Sequence, residues 1–258
     1  MKHIPLLIVL SLCIPAQAQD PEVPSTDAIL ETMAKAGGTS TRMADYLTDN
    51  GVAVEFDESI TDARSRRSWK SGGEGKDMIR VILLNPNYAT EADQTPALPA
   101  SLIAFEAAEL MYGKMPESAE KRYITVAVAA QTFFELDGDI GNLGTVSDPK
   151  WAESLNFWVE HSPRKGVKAL KKQGAKSLSD IELSAQDSLS NLRQSNGQAM
   201  LYGALSGNRG RLGWGVRSSF LSQAIDGSKS RLKTIRTARK DYKDFKKYDK
   251  SRRTALKG

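Results

Sequence analysis

Apolar residues recur at every third or fourth position from Leu98 almost to the end of the chain, a spacing typical of amphipathic helices. Gly113 ends the first of these stretches, and the second ends before Gly138. Asp148-Pro149 is a helix cap followed by a proline in the first turn. Seven glycines within residues 197–227 favour breaks in that region. The spacing therefore predicts helices over 98–112, 123–134, 149–158, 163–173 and 178–194.

The N-terminal third carries a mixed pattern. Ser25 or Thr26 can cap a helix that Gly37-Gly38 would end, and a second helix ends near Asn50-Gly51. Alternation over residues 52–56 and the β-branched run over 78–84 predict two strands. The polar stretch between them, residues 57–77, is interpreted as a loop or weak hairpin. The predicted fold is α+β and helix-dominated, with a small sheet in the N-terminal third followed by a bundle of helices.

The first 18 residues have the features of a cleavable signal peptide. A short basic start precedes an apolar run over residues 4–14, and Ala16-Gln17-Ala18 supplies the small residues that a signal peptidase recognises. We expect cleavage after Ala18 and a periplasmic or extracellular protein. The run is shorter than the roughly 20 residues that span a bilayer, so the chain is not expected to be transmembrane. Lipidation at Cys13 is disfavoured because Leu12 precedes it instead of a small residue.

Removal of residues 1–18 excludes several classes of mechanism. Cys13 is the only cysteine, so the remaining chain can form neither a disulfide nor a cysteine-dependent metal site. His161 is then the only histidine, and it precedes Ser162-Pro163 at a predicted helix end, where it can interact with free carbonyls. No G-x-S-x-G elbow and no Walker-type phosphate loop occur. These absences exclude most familiar hydrolase and transferase motifs.

Residues 79–136 show one family resemblance. A strand is followed by the turn Asn85-Pro86-Asn87-Tyr88, a helix containing Glu106 and Glu109, and a second helix that opens with Ser118-Ala119-Glu120. This order resembles the active-site core of zincin-type metallopeptidases. In that family the first helix carries His-Glu-x-x-His, and a later glutamate often completes the zinc site.

The resemblance implies a degenerate site. Glu106 matches the glutamate of the motif, whereas Phe105 and Glu109 stand where the two zinc histidines would be. Phenylalanine cannot donate a lone pair to a metal, so at most Glu109 and Glu120 could act as ligands, and carboxylates favour a hard ion over zinc. A metallopeptidase-like core used for binding or structure is therefore expected, with no metal and no cofactor.

Two other interpretations of these carboxylates remain open. Glu106 and Glu109 can form the solvated face of a helix, and the helix dipole favours acids such as Glu117 and Glu120 near the next helix start. Alternatively, the chain is a carboxylate-dependent hydrolase that uses Glu106 with Glu109 or Glu120 as acid and base towards a glycan.

The C-terminal segment, residues 229–258, carries a net charge of +10, whereas the whole chain carries +5. Apolar and aromatic residues at helical spacing predict an amphipathic helix, which could pack its stripe on the body or lie against an anionic surface. Residues 251–258 are expected to fray. The residues proposed to bind an anionic partner are Lys229, Arg231, Lys233, Arg236, Arg239, Lys240, Lys243, Lys246 and Lys247.

The sequence therefore predicts three parts: a signal peptide over 1–18, a mainly helical α+β domain over 19–228 and a basic C-terminal helix over 229–258. The favoured function is a non-catalytic exported protein that binds an unknown protein or envelope component. A peripheral envelope-associated protein held by the basic helix is an alternative. Nucleic acid would be attracted by the same charge, but export makes that partner unexpected.

Overall fold

A computed structural model describes residues 25–61, 63–71, 77–90, 96–143, 149–205 and 208–256. The predicted signal peptide, the candidate lipidation site Cys13 and the helix cap Asp148 lie outside the described residues. The described residues form ten helices and three strands. In chain order these are α1 (Thr26–Ala36), α2 (Gly38–Asp49), β1 (Ala53–Phe56), β2 (Ser65–Ser71), β3 (Met78–Leu84), α3 (Asn87–Thr90), α4 (Ala97–Met111), α5 (Ala119–Glu135), α6 (Ile140–Leu143), α7 (Pro149–Glu160), α8 (Pro163–Lys172), α9 (Leu178–Leu205) and α10 (Asn208–Ala255).

The sheet has the order β1-β3-β2, with β3 parallel to β1 and antiparallel to β2. The small sheet is confirmed, and strands lie where the alternation over 52–56 and the β-branched run over 78–84 predicted them. The stretch interpreted as a loop or weak hairpin contains the seven-residue strand β2. Its sequence, Ser-Arg-Arg-Ser-Trp-Lys-Ser, lacks apolar alternation because it is an edge strand that buries no side chain completely.

Helices α4 and α5 form the centre of the core. In α4 the apolar and small residues surround the whole helix, and eleven of its fifteen residues are buried. The sheet, α1 and α2 contact α4, while α7 and α8 pack on α5. A helix that is apolar on all sides is buried, so this composition explains the central position of α4. The helix-dominated α+β fold is confirmed.

The last two helices form a long antiparallel hairpin. A second apolar cluster, separate from the main core, joins them through Ile181, Leu189, Ile225 and Ile235. The breaks expected from the seven glycines are wrong for most of this region. Helix α9 extends to Leu205, and α10 is helical from Asn208 onwards. Among the described residues, no helix is both long enough and apolar enough to cross a membrane.

The basic C-terminal segment is part of the folded body. Helix α10 continues through Lys229 without interruption, and Leu232, Ile235, Ala238 and Phe245 are buried. The predicted amphipathic helix therefore packs its apolar stripe on the rest of the chain. The fraying expected for residues 251–258 is wrong for the part that is described, since the helix reaches Ala255.

Candidate functional site

Glu106 lies on the buried face of α4 that meets the sheet, and only 7% of its surface is exposed. Ser65 Oγ donates a hydrogen bond to Glu106 Oε1 at 2.6 Å, and Arg67 Nε lies 2.9 Å from Oε2. Ser65 and Arg67 are two residues apart on β2, and side chains at this spacing share one face of a strand. The edge strand therefore supplies both partners of the carboxylate.

Glu109 continues the same cluster one helical turn later. Its Oε2 atom lies 3.0 Å from Lys121 Nζ and 3.6 Å from Arg67 Nη1. Lys121 is only 5% exposed and also pairs with Glu117. The contacts therefore form a series in which acids and bases alternate, namely Glu106, Arg67, Glu109, Lys121 and Glu117. The structure brings Glu106 and Glu109 together through the shared guanidinium of Arg67.

At Glu106 and at Lys121, burial and the oppositely charged neighbours shift the pKa in opposite directions. Desolvation is the main reason why the pKa of Glu106 is raised, although Ser65 and Arg67 act to lower it and Glu109 adds to the rise. For Lys121, desolvation lowers the pKa, but the hydrogen bonds to Glu117 and Glu109 outweigh it and raise the pKa overall. Lys121 is therefore held as an ammonium ion.

Glu120 has a different role from the other two candidates. It is 7% exposed, and its Oε2 atom accepts a hydrogen bond from Leu178 N at 2.9 Å, at the first residue of α9. A carboxylate at this position satisfies a free N–H group and interacts favourably with the helix dipole. Within the described ranges, no three His, Cys, Asp or Glu side chains cluster so that they could hold a metal ion.

Phe105, which stands at the first histidine position of the metallopeptidase motif, is part of the core packing. Its ring meets the Trp151 ring edge-on, with the centroids 5.6 Å apart. Its side chain also borders a cavity of about 490 Å³, which Glu109, Arg122 and Phe157 line as well. The space beside Glu109 is therefore partly apolar on this side.

A second cavity, of about 680 Å³, lies on the other side of Glu109. Arg67, Trp69 and Arg80 line it from the sheet, and Lys114 lines it from the end of α4. Glu109 is therefore the one candidate carboxylate that borders both of these cavities. The basic residues around the second cavity favour an anionic occupant over a cationic one.

His161 follows the last residue of α7. Its Nδ1 atom lies 3.1 Å from Phe157 O, and its ring stacks on the Phe157 ring with centroids 4.6 Å apart. This contact with a carbonyl of the last helical turn matches the structural role expected from the sequence. Among the described residues, the imidazole makes no hydrogen bond to a serine or an acid, and the Glu160 carboxylate lies 4.0 Å from Nδ1, beyond hydrogen-bond distance.

The nine basic residues proposed to bind an anionic partner are all exposed. Six of them are spaced alternately by four and three residues, so they form one row along α10, and we call this the basic row. Its spacing corresponds to a length of about 27 Å at 1.5 Å per residue. The basic row consists of Lys229, Lys233, Arg236, Lys240, Lys243 and Lys247.

Some of these charges have partners within the chain. Arg236 and Arg239 pair with Glu182 of α9, and Lys229 lies 2.9 Å from Asp226. Lys247 lies 3.9 Å from Asp244. Surface pairs of this kind are weak, so the field of the row remains positive.

A buried polar network was missed by the sequence reasoning. Asp249 is fully buried, and its Oδ1 atom accepts hydrogen bonds from Gln131 Nε2 at 2.8 Å and Trp158 Nε1 at 2.6 Å. Its Oδ2 atom accepts one from Arg253 Nε at 2.8 Å. Burial, with a contribution from Asp249, raises the pKa of the nearby Tyr123. The available signal was the position of Asp249, four residues after Phe245, on the apolar stripe.

The same network attaches the end of α10 to the body. Arg253 Nη2 donates to His161 O and Tyr123 OH, each at 2.8 Å, and also to Trp158 O. Arg252 pairs with Glu135, which in turn accepts hydrogen bonds from the first turn of α2. The last helical turns are therefore fixed by buried charges as well as by the apolar stripe.

No protein-family model, no curated protein and no solved structure matches this chain.

Proposed function

We propose that the protein is an exported, non-catalytic binding protein whose basic row docks on an anionic protein or envelope component. The observation that carries this proposal is that all nine candidate cations are exposed and six of them form one row, while the apolar stripe of α10 is buried. A regular row of cations about 27 Å long suits an extended polyanion or an acidic surface. The other face of the helix is used by the fold, so the row is presented on a rigid support.

Under this proposal the carboxylates of α4 have a structural role. Glu106 and Glu109 are paired with Arg67 and Lys121, and these pairs join the edge strand, α4 and α5. A general base needs a lone pair that is free to accept a proton from a substrate, whereas both oxygens of Glu106 and the Oε2 atom of Glu109 already interact with protein donors. The metallopeptidase-like arrangement is thus proposed to be a degenerate core without turnover.

The test compares two variants with the same change in net charge. In the first, five lysines of the basic row are replaced by glutamine, and Arg236 is kept because of its contact with Glu182. In the second, five exposed lysines of the body are replaced by glutamine. The two sets are Lys229, Lys233, Lys240, Lys243 and Lys247 for the row, and Lys35, Lys114, Lys150, Lys168 and Lys176 for the control.

Binding to dextran sulfate, a linear polyanion, is measured by titration at low salt. Each basic residue near an anionic surface contributes about 1 kcal/mol, so the row variant is expected to bind at least about a hundredfold more weakly than the wild type. The control variant should lose less than about tenfold, because its lysines are not aligned. Equal losses in both variants would show that net charge, and not the row, governs binding.

A carboxylate-dependent hydrolase is the second candidate function. It is favoured by one observation, the position of Glu109 between the two cavities, with the raised pKa of Glu106 one turn away. An enzyme would lose turnover of envelope glycans or peptides in Glu106→Gln, while the exposed Glu117→Gln would keep it. Elemental analysis of both proteins would show whether a metal accompanies the carboxylates. Turnover that depends on Glu106 would overturn the non-catalytic proposal.

A further inference from the structure

The far end of the α9–α10 hairpin, here called the tip, consists of residues 197–205 and 208–217. It lies beyond the hydrogen bond from Ser218 Oγ to Asn196 Oδ1, which is 2.8 Å long. Nearer the body, Glu182 pairs with Arg236 and Arg239, and the apolar cluster fills the space between the helices. Among the described side chains of the tip, Ala199 is buried and the large apolar ones are exposed.

The exposed apolar surface of the chain is concentrated at this end. Among the described side chains, ten large apolar ones are exposed; six of these lie on or next to the tip, and Leu205 is the most exposed of them at 76%. Single exposed apolar residues are ordinary on protein surfaces, but a contiguous group marks an interaction site. The six are Met200, Leu201, Tyr202, Leu205, Val216 and Phe220.

The charge of the same region is entirely positive. Between Asp187 and Asp226 the sequence contains no acidic residue, whereas it contains four arginines, at positions 193, 209, 211 and 217. Apolar residues combined with arginines match the interface of an anionic bilayer, where acyl chains lie below phosphate groups. A second copy of the chain fits less well, because two such tips would bring like charges together.

Three glycines of the tip are not explained by packing against the described residues. A Cβ atom added to Gly197, Gly213 or Gly215 would meet no atom within 4 Å, and these positions are helical. Glycine in a helix interior costs about 1 kcal/mol relative to alanine. Here that cost has no compensation from neighbouring side chains.

We propose that the tip inserts end-on into the interface of an anionic lipid bilayer. Residues 200–205 span about 8 Å along the helix, which is comparable to the depth of about 5–10 Å that apolar side chains of interfacial helices reach in a bilayer. The tip is thus long enough for shallow insertion. Lys229 lies about 32 Å along α10 from the start of the helix, at 1.5 Å per residue. The basic row therefore stands clear of the bilayer and stays accessible to its own partner.

The first arm of the test measures binding to vesicles of phosphatidylglycerol and phosphatidylcholine by sedimentation. The tip variant replaces Met200, Leu201 and Leu205 by glutamine. The control replaces Met78, Val159 and Leu183 by glutamine; these are exposed apolar residues away from the tip. The tip variant is expected to bind at least about thirtyfold more weakly, because three apolar side chains no longer leave water. The control should match the wild type, and vesicles of phosphatidylcholine alone should bind weakly.

The second arm reports insertion directly. Cys13 lies in the predicted signal peptide, so Leu205→Cys gives the mature protein a single site for an environment-sensitive fluorophore. Emission should shift to the blue on addition of anionic vesicles and be quenched by shallow brominated lipids. A label at Leu183→Cys should not respond. Full vesicle binding by the tip variant, or no shift at position 205, would overturn the proposal.

Two further measurements separate the alternatives. If light scattering shows a dimer without lipid that the tip variant abolishes, the occupant is a second copy and the lipid proposal is wrong. The tip variant should also keep the affinity of the wild type for dextran sulfate. The basic-row variant should bind the anionic vesicles as the wild type does. Failure of the tip proposal is therefore distinguishable from failure of the proposed function.

Discussion

Replacement of Asp249 by alanine should destabilise the protein more than any other single change of a charged residue in α10. The carboxylate is fully buried and accepts hydrogen bonds from Gln131, Trp158 and Arg253 at 2.6–2.8 Å. Its removal leaves the guanidinium of Arg253 in a site where its side chain is 13% exposed. It also leaves two buried N–H donors without a partner.

The magnitude follows from these partners. Breaking a buried ion pair by removing one member costs about 3–5 kcal/mol. Arg253 keeps its bonds to carbonyl oxygens and to Tyr123, so we expect a loss near the lower limit, about 3 kcal/mol. In a chain of this size, 1 kcal/mol lowers the melting temperature by about 2–4 °C, so Tm should fall by roughly 10 °C.

The assay is thermal and urea unfolding followed by circular dichroism, with Asp244→Ala as the matched control. Asp244 lies on the same helix, is exposed and has only a 3.9 Å surface pair with Lys247, so its loss should cost less than about 0.5 kcal/mol. Equal stabilities for the two variants would refute the reasoning.

Three further predictions concern other parts of the fold. Glu106→Gln should gain stability relative to the wild type as the pH rises above 4.5. The reason is that the pKa of Glu106 is raised in the fold, so the wild type loses stability when this carboxyl ionises. Urea titrations at pH 4, 6 and 8 measure the difference in the free energy of unfolding. Gly166→Ala places a Cβ atom 2.4 Å from the buried ring of Tyr123, so calorimetry should show a loss of about 1–3 kcal/mol. The pKa of Asp180 is lowered to about 2, first by its hydrogen bond with Ser177. Asp180→Asn should therefore be less stable than the wild type at pH 5, and the difference should vanish as the pH falls from 3.8 towards 2.

The candidate site was only partly predictable from the sequence. Glu106 and Glu109 were selected as a pair one turn apart, and their helical spacing does bring them together. Their partners could not be identified, because Ser65 and Arg67 lie in a stretch whose polar residues gave no strand pattern. The burial of Lys121 could not be predicted for a related reason. A lysine is rarely buried unless it is paired, and here the partner Glu109 lies on another helix.

Glu120 shows a further limit of local reasoning. It was grouped with the other carboxylates because it lies close to them in sequence, at the start of α5. In the fold it binds the first N–H group of α9, 58 residues later in the chain. Adjacent residues on a helix point about 100° apart, so Lys121 joins the cluster while Glu120 faces another element.

The sequence by itself determined most of the elements, because helix spacing, caps and strand alternation are local properties; β2 and the long course of α9 and α10 are the exceptions. Helix α4, the strand β3 and the amphipathic stripe of α10 could each be identified from a few consecutive residues. Only the tertiary structure decided which charged side chains are buried and which apolar ones are exposed. Asp249 is buried, whereas the large apolar residues of the hairpin tip are exposed. Burial of a charge depends on partners far away in the chain, and no local pattern encodes which distant donor will reach it.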